Sequence, residues 1–540
     1  MLTDWHPRLW WGRPTHDDYD VKVRVPDGHQ LGATGLPDTK AGGRYRAEKV
    51  RSFGLYLAKG VRTLETSSAG VSIRALFWPD GEKCAELVLS TAANAVDFYW
   101  QRFGFYPFTS LTIIPGEYDE PYGGYPVATG LIAIHGMTKV ASVPKLHWQW
   151  ITAHEIGHQY WGDWVLEKES PGWLWIGLGI YADREYVLAR GLGLDKHRAL
   201  VHEYLWGVKR YYDTTMSLTL EQYARVNFDC NNVVVHGKGF ATISALAWVM
   251  GRDAFDRSYQ RCLREFAGRP LGPVEFQRIC EEEAGQDLDW FFSQWVRSNR
   301  YLYYRVGAVR RTSTGAVYRT EVQVERLGTL RMPVPVEARF QDGSRQEATT
   351  DRLRDVDTIT FTSASPLVDV MLDPRRDLAM VDWVLNEEEG RLVRRLEAMA
   401  WMPEAAEVTE LLGAAKAVGL RHADLWFKLG MGLYHAGLNE EALEAFAWPL
   451  PGEVPWVAAG DPGFRSENRM RILLCVWQGH VLDVLARRAE ALEAYRAALS
   501  LSASIGGFRI RQDHYRLVID PDWIQTRLET PFSRSLINQS

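Results

Sequence analysis

The chain has 540 residues, of which 46% are hydrophobic, with 62 basic and 68 acidic side chains and a formal net charge of −6. Three or more domains are expected at this length, because a single core rarely grows beyond about 250–300 residues. The nearly balanced charge excludes the basic footprint of a nucleic-acid-binding protein. No hydrophobic run approaches membrane-spanning length, and the first five residues lack the regions of a secretory signal, so the cellular location stays open.

The most informative motif is the pentapeptide HEIGH at residues 154–158. Apolar residues recur at helical spacing around it, and no proline interrupts residues 145–165, so we expect a mostly buried helix. Histidines four apart lie on one helix face, and His154 and His158 can therefore bind one tetrahedral zinc ion. Glu155 then lies beside the metal, where it can act as general base for a metal-activated water. The alternative is an amphipathic helix with two buried, hydrogen-bonded histidines.

A zinc site of this type needs a third protein ligand, normally a carboxylate on a second helix about twenty residues later. The sequence predicts such a helix. Ser170 and Pro171 are typical of an N-cap and a first helical residue, and the apolar run from Trp173 continues to Glu185 and beyond.

The segment HEIGHQYWGDWV, the W-I-x-x-G that follows it, and further matches over about the first 375 residues resemble the aminopeptidase N and leukotriene hydrolase family of gluzincin metallopeptidases. The resemblance implies one zinc ion as cofactor and a peptide as substrate. It also implies that residues 1–60 are the remnant of an N-terminal β domain, most of which is missing here. Residues 61–299 would then form a thermolysin-like, mostly α catalytic domain.

The place of the family's third ligand, a glutamate, is held by Leu178, and an aliphatic side chain cannot bind zinc. Counting the family's spacing from His158 reaches Gly177 instead, which is no better. Two carboxylates follow on the same helix. Asp183 is expected about 140° around the helix from Leu178, whereas Glu185 is on the right face about 10 Å further along and is predicted to orient an imidazole.

Other positions depart from the family's pattern or could replace what is lost. Glu167 and Glu169, in the loop before the second helix, could supply the ligand if that loop turned inward. His236 holds the place of the family's tyrosine, which donates its hydroxyl to the oxyanion of the tetrahedral intermediate. A neutral imidazole still has one N–H to donate to an oxyanion. The alternative is a helix-start histidine without a catalytic part.

The family's exopeptidase motif carries a glutamate that anchors the free amine of the substrate, and Pro126 holds that place here. Proline cannot pair with an ammonium group. Carboxylates just upstream could replace the glutamate: Glu117, Asp119 and Glu120. The stretch still predicts a glycine-rich edge strand beside a cleft, and its Gly123, Gly124 and Tyr125 are the expected substrate-binding residues.

The remainder of the chain predicts two further domains. Alternating polar and apolar residues in 300–384 predict a small antiparallel β-sandwich, which the family commonly places there. Residues 385–540 are predicted to be helical and tetratricopeptide-like, because two sets of residues recur at the same internal offsets: Gly430, Leu433, Ala442 and Phe446, and Gly479, Leu482, Ala491 and Tyr495. The helices form either a groove that docks a peptide or protein partner, or a plain helical bundle.

The sequence therefore predicts a multidomain α+β protein. The leading hypothesis is a zinc metallopeptidase in which His154 and His158 hold the metal, Glu155 activates water and His236 steadies the oxyanion. Two neutral imidazoles leave the charge of the cation uncompensated. The alternative is a catalytically inactive family member that serves as a peptide-binding or assembly scaffold through its cleft and its C-terminal helical repeats.

Overall fold

The computed structural model describes residues 15–37, 43–119, 123–168, 172–226, 228–315, 317–382, 384–447, 462–504, 508–512 and 515–537. The chain divides into two compact units, Met1–Val208 with Asp213–Val381 and Lys209–Tyr212 with Asp382–Ser540. The mixed α+β class is confirmed. The predicted boundary after residue 384 lies close to the division after Val381. The predicted boundaries after residues 60 and 299 stay predictions.

The first unit opens with short antiparallel strands. Tyr19 and Val21 alternate toward a small core that contains Phe53 and Phe108. The described strands pair in the orders β1-β4-β3 and β2-β5. Their bounds are β1 (Asp17–Lys22), β2 (His29–Ala33), β3 (Leu36–Pro37), β4 (Arg44–Val50) and β5 (Leu55–Lys59).

A mixed sheet follows, with strand order β6-β7-β8-β10-β9. Its central strand is buried along its whole length, as is typical of a strand with neighbours on both sides and helices over the sheet. In the described part of the sheet, the glycine-rich strand β9 lies at the edge and pairs antiparallel with β10. The bounds are β6 (Arg62–Ser68), β7 (Val71–Phe77), β8 (Ser110–Pro115), β9 (Gly124–Ala128) and β10 (Leu131–Ile134).

Helices surround this sheet and make up most of the remaining first unit. A short parallel pair, β11 (Leu166–Glu167) and β12 (Pro270–Leu271), links two of the loops. The helix bounds within the described residues are α1 (Glu82–Phe103), α2 (Lys145–Gly157), α3 (Trp173–Ala189), α4 (Asp195–Lys209), α5 (Leu220–Tyr223), α6 (Gly239–Met250), α7 (Arg252–Glu265), α8 (Pro273–Ala284) and α9 (Asp289–Trp295).

Helix α2 carries the HEIGH motif, as predicted, but it is shorter than the pattern suggested. It ends at Gly157, His158 caps it, and turns replace the expected helix as far as Val165. Helix α3 begins after Gly172, whose φ of +77° favours glycine. The predicted cap of this helix, Ser170 and Pro171, lies outside the described residues.

Helix α6 is preceded directly by a π-helix, Asn231–Lys238. Contrary to the expectation from the sequence, one helix in the described ranges, the combined segment Asn231–Met250, is long and apolar enough to cross a membrane, and 83% of its most apolar window is buried inside the protein. That burial is typical of a core helix. Single-turn π-helices are frequent at functional sites, which makes the residues on this one candidates for function.

The strands expected in residues 300–384 are present. They pair antiparallel in the orders β13-β14-β17 and β16-β15-β18. Side chains alternate between buried and exposed along β14, as the sequence pattern predicted. The bounds are β13 (Tyr304–Thr314), β14 (Val317–Arg326), β15 (Pro335–Phe340), β16 (Arg345–Thr349), β17 (Val356–Ser363) and β18 (Leu367–Leu372).

The described part of the second unit is mainly helical, with one small antiparallel strand pair. Its helix pairs repeat one contact: Gly430 packs directly against the ring of Phe446, and Gly479 packs in the same way against Tyr495. The equal offsets seen in the sequence therefore correspond to equal packing. The bounds are α10 (Glu387–Ala398), α11 (Ala405–Val418), α12 (Ala423–His435), α13 (Asn439–Phe446), α14 (Pro462–Val484), α15 (Arg488–Ser504), β19 (Ile510–Gln512), β20 (Leu517–Ile519) and α16 (Pro521–Glu529).

Candidate metal and hydrolytic site

Two imidazoles meet at the carboxyl end of α2. His154 lies in the last turn and His158 at the cap, and both side chains are buried. Their Nε2 atoms are 3.2 Å apart, and their ring planes are inclined by 83°. Two nitrogen ligands at about 2.0–2.1 Å from a tetrahedral zinc ion are about 3.3 Å apart. The spacing therefore matches two corners of one metal site.

The Nδ1 atoms of both rings face acceptors. Nδ1 of His154 is 2.8 Å from a carboxylate oxygen of Asp183, and Nδ1 of His158 is 3.4 Å from the carbonyl oxygen of Trp161. Since a carbonyl or an ionised carboxylate can only accept, each Nδ1 carries the hydrogen. A neutral ring then presents the lone pair of Nε2, which is how histidines usually bind metals.

The two rings differ in their affinity for a second proton. Burial lowers the pKa of His154, but the hydrogen bond to Asp183 and the charge of Glu155 outweigh burial and raise the pKa above its usual value. Burial, followed by the charge of His154, holds the pKa of His158 well below its usual range. When Nε2 of His154 carries a second proton, it can donate a hydrogen bond to Nε2 of His158. The two imidazoles are then bonded to each other.

Asp183 on α3, not Glu185, orients an imidazole. Glu185 is buried, but it forms ion pairs with three arginines, Arg102, Arg184 and Arg252. The prediction for Glu185 is wrong because two residues along a helix are separated by about 200° around its axis. When Asp183 faces α2, Glu185 faces away from the two imidazoles.

The surface of α3 toward the imidazoles is formed by residues spaced four apart, Trp175, Gly179 and Asp183. The ring centroid of Trp175 lies 4.9 Å from that of His158. A Cβ atom at Gly179 would lie 3.4 Å from Cε1 of His158. The sequence placed the missing ligand at Leu178, whose fully buried side chain lines a cavity with Trp161 and Met216. Gly179 is therefore a position on α3 at which a side chain would begin in contact with His158.

The predicted base, Glu155, lies against the edge strand β9. A Cβ atom at Gly124 would lie 2.5 Å from the carbonyl oxygen of Ala133 and 3.0 Å from Cγ of Glu155, so a larger residue here would clash with β10 and press against the side chain of Glu155. Gly123 lies beside the same helix, with its Cβ position 3.6 Å from Ile151. Tyr125 packs its ring against His135. The structure thus brings Gly123 and Gly124 to α2, and the substrate-binding role expected of Gly123, Gly124 and Tyr125 stays a prediction.

Glu155 has the properties of a proton acceptor. It is 1% exposed, and its Oε2 has no hydrogen-bond partner among the described residues. Burial raises the pKa of Glu155 to about 7, although the charge of His154 acts in the opposite direction. A carboxyl group that titrates near neutrality can both take up and return a proton at physiological pH.

His236 lies on the π-helix. Its charge lowers the pKa of His158, and the charge of His154 lowers the pKa of His236. Its Nδ1 is 2.9 Å from the carbonyl oxygen of Asn231, so Nδ1 carries the hydrogen and donates it. Burial lowers the pKa of His236, which leaves the ring neutral and Nε2 without a hydrogen. In the structure the one N–H of His236 is therefore directed at Asn231 and Nε2 is an acceptor, while the predicted donation to an oxyanion stays a prediction.

Pro126, which holds the place of the amine-anchoring glutamate, lies within β9 opposite Ile132. Burial and then the charge of Glu117 raise the pKa of Tyr125 to about 12, so Glu117 lies near this strand. The other upstream candidates give no site: Asp119 is exposed, and Glu120 lies outside the described residues.

The loop before α3 supplies no ligand in its described part. Glu167 forms an ion pair with Arg51 at 3.3 Å. Glu169 lies outside the described residues. In the ranges that the structure covers, no group of three or more His, Cys, Asp or Glu side chains is arranged to hold a metal ion.

No protein-family model and no curated protein matches this chain. The resemblance found in the sequence stays a hypothesis.

The donor set fits a metal ion in part. The two Nε2 atoms have the spacing and the tautomers of zinc ligands, and the unpartnered Oε2 of Glu155 lies in the same buried region. The usual third, anionic ligand has no counterpart among the described side chains. An ion held here would complete its shell with water or substrate oxygens, and it would bind more weakly than at a three-ligand site.

Sequence reasoning missed the residues around the pair. Asp183 accepts hydrogen bonds from His154 on α2 and from His197 on α4. The spacing of four residues from Gly179 to Asp183 was a usable signal, because such residues share one helix face. No pattern in the sequence pointed to His197, since its contact depends on how α4 packs against α3.

Proposed function

We propose that the protein is a zinc-dependent peptidase. The observation that carries this proposal is the convergence of two imidazole Nε2 atoms, 3.2 Å apart, in the same HEIGH motif as a buried carboxyl group with a pKa of about 7. Such a combination is suited to peptide hydrolysis, in which one group polarises water and another moves its proton.

His154 and His158 would hold the ion. A bound divalent cation lowers the pKa of water from 15.7 to about 7, which makes water a nucleophile at neutral pH. Glu155 takes the proton on its free Oε2 and returns it to the leaving amine. Asp183 keeps the ring of His154 in the tautomer that exposes Nε2.

The edge strand β9 would bind the substrate. An extended peptide can add to an edge strand through main-chain hydrogen bonds. Because Gly124 contacts Glu155 directly, a peptide along this edge would pass close to the base. Nε2 of His236, as an acceptor, would take an N–H of the substrate.

Metal analysis and peptide hydrolysis test this proposal. We expect about one zinc ion per purified chain, lost in the His154→Ala/His158→Ala double variant. Glu155→Gln should keep zinc but lower kcat by about 100- to 10,000-fold, the usual contribution of a general base. Turnover that persists in Glu155→Gln would contradict the assigned base.

A second candidate function is peptide binding without catalysis. One observation in its favour is the Nε2–Nε2 contact, in which the two imidazoles bond to each other instead of to a metal. Another is Trp175, whose ring lies beside His158 on the helix that lacks a carboxylate ligand. The helical second unit would then serve as a docking surface. Zinc-free protein with the same melting temperature in chelator and in added zinc would support this candidate over the enzyme.

A further inference from the structure

His197 is a buried histidine that the proposed hydrolytic steps do not use. It lies in the first turn of α4 and is 3% exposed. Its Nε2 is 2.5 Å from Oδ1 of Asp183. Its Nδ1 has no hydrogen-bond partner in the described part of the chain. Among the described residues, the one hydrogen bond of the ring is therefore the one to Asp183.

Asp183 joins two histidines through separate oxygens. Oδ1 accepts from His197 and Oδ2 accepts from His154. Burial raises the pKa of Asp183, but the charge of His197 and the hydrogen bonds from both histidines outweigh it and keep the carboxylate ionised. An ionised carboxylate only accepts, so both histidines donate to it.

The two contacts together fix the plane of the carboxylate. With Oδ1 bound to His197, Oδ2 is directed at Nδ1 of His154, which must then carry its hydrogen there. Without His197, the carboxylate of Asp183 could rotate about its own side chain, and its hold on the tautomer of His154 would weaken. The supporting contact comes from α4, a different element from the two that carry the imidazole pair and Asp183.

We propose that His197 is a positioning residue for the metal site: through Asp183 it holds His154 in the tautomer whose Nε2 lone pair faces His158. This proposal rests on the proposed metal-binding function only in its consequence for zinc affinity. The tautomer itself can be measured in protein without metal.

Two amide variants provide a matched test. In His197→Gln, the side-chain NH₂ lies near the place of the original Nε2 and can still donate to Asp183. In His197→Asn, the same group is one bond shorter and cannot reach. Both variants are polar and of similar size, so a difference between them reports the hydrogen bond and not the loss of the ring.

The first measurement is the histidine ¹⁵N–¹H NMR spectrum of full-length, metal-free protein at about pH 8.5, where imidazoles are neutral. We expect His154 to be protonated on Nδ1 in the parent protein and in His197→Gln, and to show mixed tautomers in His197→Asn. The same tautomer in all three proteins would overturn the proposal.

The second measurement is zinc affinity by competition with a chromogenic chelator. We expect His197→Asn to bind zinc about 10- to 100-fold more weakly, the usual cost of losing a group that supports a ligand, and His197→Gln to stay within about threefold of the parent. His147→Leu, at another buried histidine on α2, is the control for a general packing defect. Equal losses in all three variants would overturn the positioning role.

The two proposals fail in distinguishable ways. A parent protein that binds no zinc contradicts the metallopeptidase, while the NMR experiment still decides the role of His197. If neither amide variant folds, His197→Ser with added free imidazole replaces them, and recovery of the parent tautomer on addition of imidazole is the supporting result. A failure of imidazole to restore it counts against the proposal.

Discussion

Gly179 is the residue at which this site differs most from a three-ligand zinc centre. It lies one helical turn before Asp183, and its Cβ position is 3.4 Å from Cε1 and 3.5 Å from Nδ1 of His158. These are ordinary van der Waals distances, so a Cβ atom fits here without displacing its neighbours. A carboxylate at this position would supply the negative charge that the two imidazoles lack.

We therefore predict that Gly179→Asp raises zinc affinity by at least about 100-fold, because an anionic ligand contributes more than the 10- to 100-fold of a supporting residue. Chelator competition measures the change. Gly179→Ala controls for the added volume, and Leu178→Asp carries the same charge on the neighbouring residue. Equal zinc affinities for Gly179→Asp and Gly179→Ala would show that a carboxylate at this position of α3 does not coordinate the metal.

At this scale the motif was predictable and its surroundings were not. His154, Glu155 and His158 could be assigned because one helix positions all three. The roles predicted for Leu178 and Glu185 depended on which face α3 turns toward α2. Because α3 is buried on almost every side, its hydrophobic pattern does not indicate that face. In the fold, α2 and α3 pack against each other, and a Cβ at Gly157 would lie at an ordinary van der Waals distance, 3.4 Å, from the carbonyl oxygen of Gly179.

Among the elements, the repeated helix pairs of the second unit were the best predicted from sequence. The glycine in the first helix of each pair leaves room for an aromatic ring from the second helix. The offsets are readable in the sequence because both partners lie within one pair. The end of α2 was less predictable: apolar residues continue past Gly157 because the turns that follow are buried too.

This packing makes a testable prediction for Gly479. A Cβ there would lie 2.5 Å from Cε1 of Tyr495. This clash should destabilise the α14–α15 pair in Gly479→Ala by about 1–3 kcal/mol. The higher helix propensity of alanine should offset about 1 kcal/mol of that loss. Hydrogen exchange of the α14 and α15 amides measures the local opening free energy.

Gly413 on α11 is the matched control in the same unit. A Cβ there would meet nothing within 4 Å, so Gly413→Ala should stabilise α11 by about 0.5–1 kcal/mol. If Gly479→Ala also stabilised its helix, the repeated contact would be absent from the folded protein.

For the whole molecule, one buried lysine makes stability depend on pH. Lys238 is fully buried, and its Nζ donates to the carbonyl oxygens of Thr214 and Ser298. Burial lowers the pKa of Lys238 to about 7 from 10.5, despite the charge of Asp213. Between these two values the unfolded chain binds a proton that the folded chain does not, so the free energy of unfolding rises with pH across this window.

We predict that Lys238 makes the free energy of unfolding rise by up to about 1.4 kcal/mol per pH unit between pH 7 and 10. This rise should be lost in Lys238→Met. Urea unfolding at several pH values, compared between the parent and the variant, isolates the contribution. Lys83→Met, at an exposed lysine on α1, should leave the slope unchanged. A slope of the same size in Lys238→Met would assign the pH dependence to other groups.

At the same scale, the sequence anticipated a change of structure near residue 384 because helical periodicity resumes there. The structure divides the chain after Val381. Burial of Lys238 was not predictable, since a lone lysine in a sequence is normally solvated. It can be buried here because backbone carbonyls from Thr214 and Ser298, distant along the chain, accept its hydrogen bonds.

The π-helix at Asn231–Lys238 has one more consequence. A π-helix differs from an α-helix by one extra residue in a turn. Deleting a residue between His236 and α6 would turn the imidazole about the helix axis by about 100°, the rotation per residue of an α-helix. The direction of His236 thus depends on the number of residues in this turn, and one deletion would redirect it while leaving every other amino acid of the chain in place.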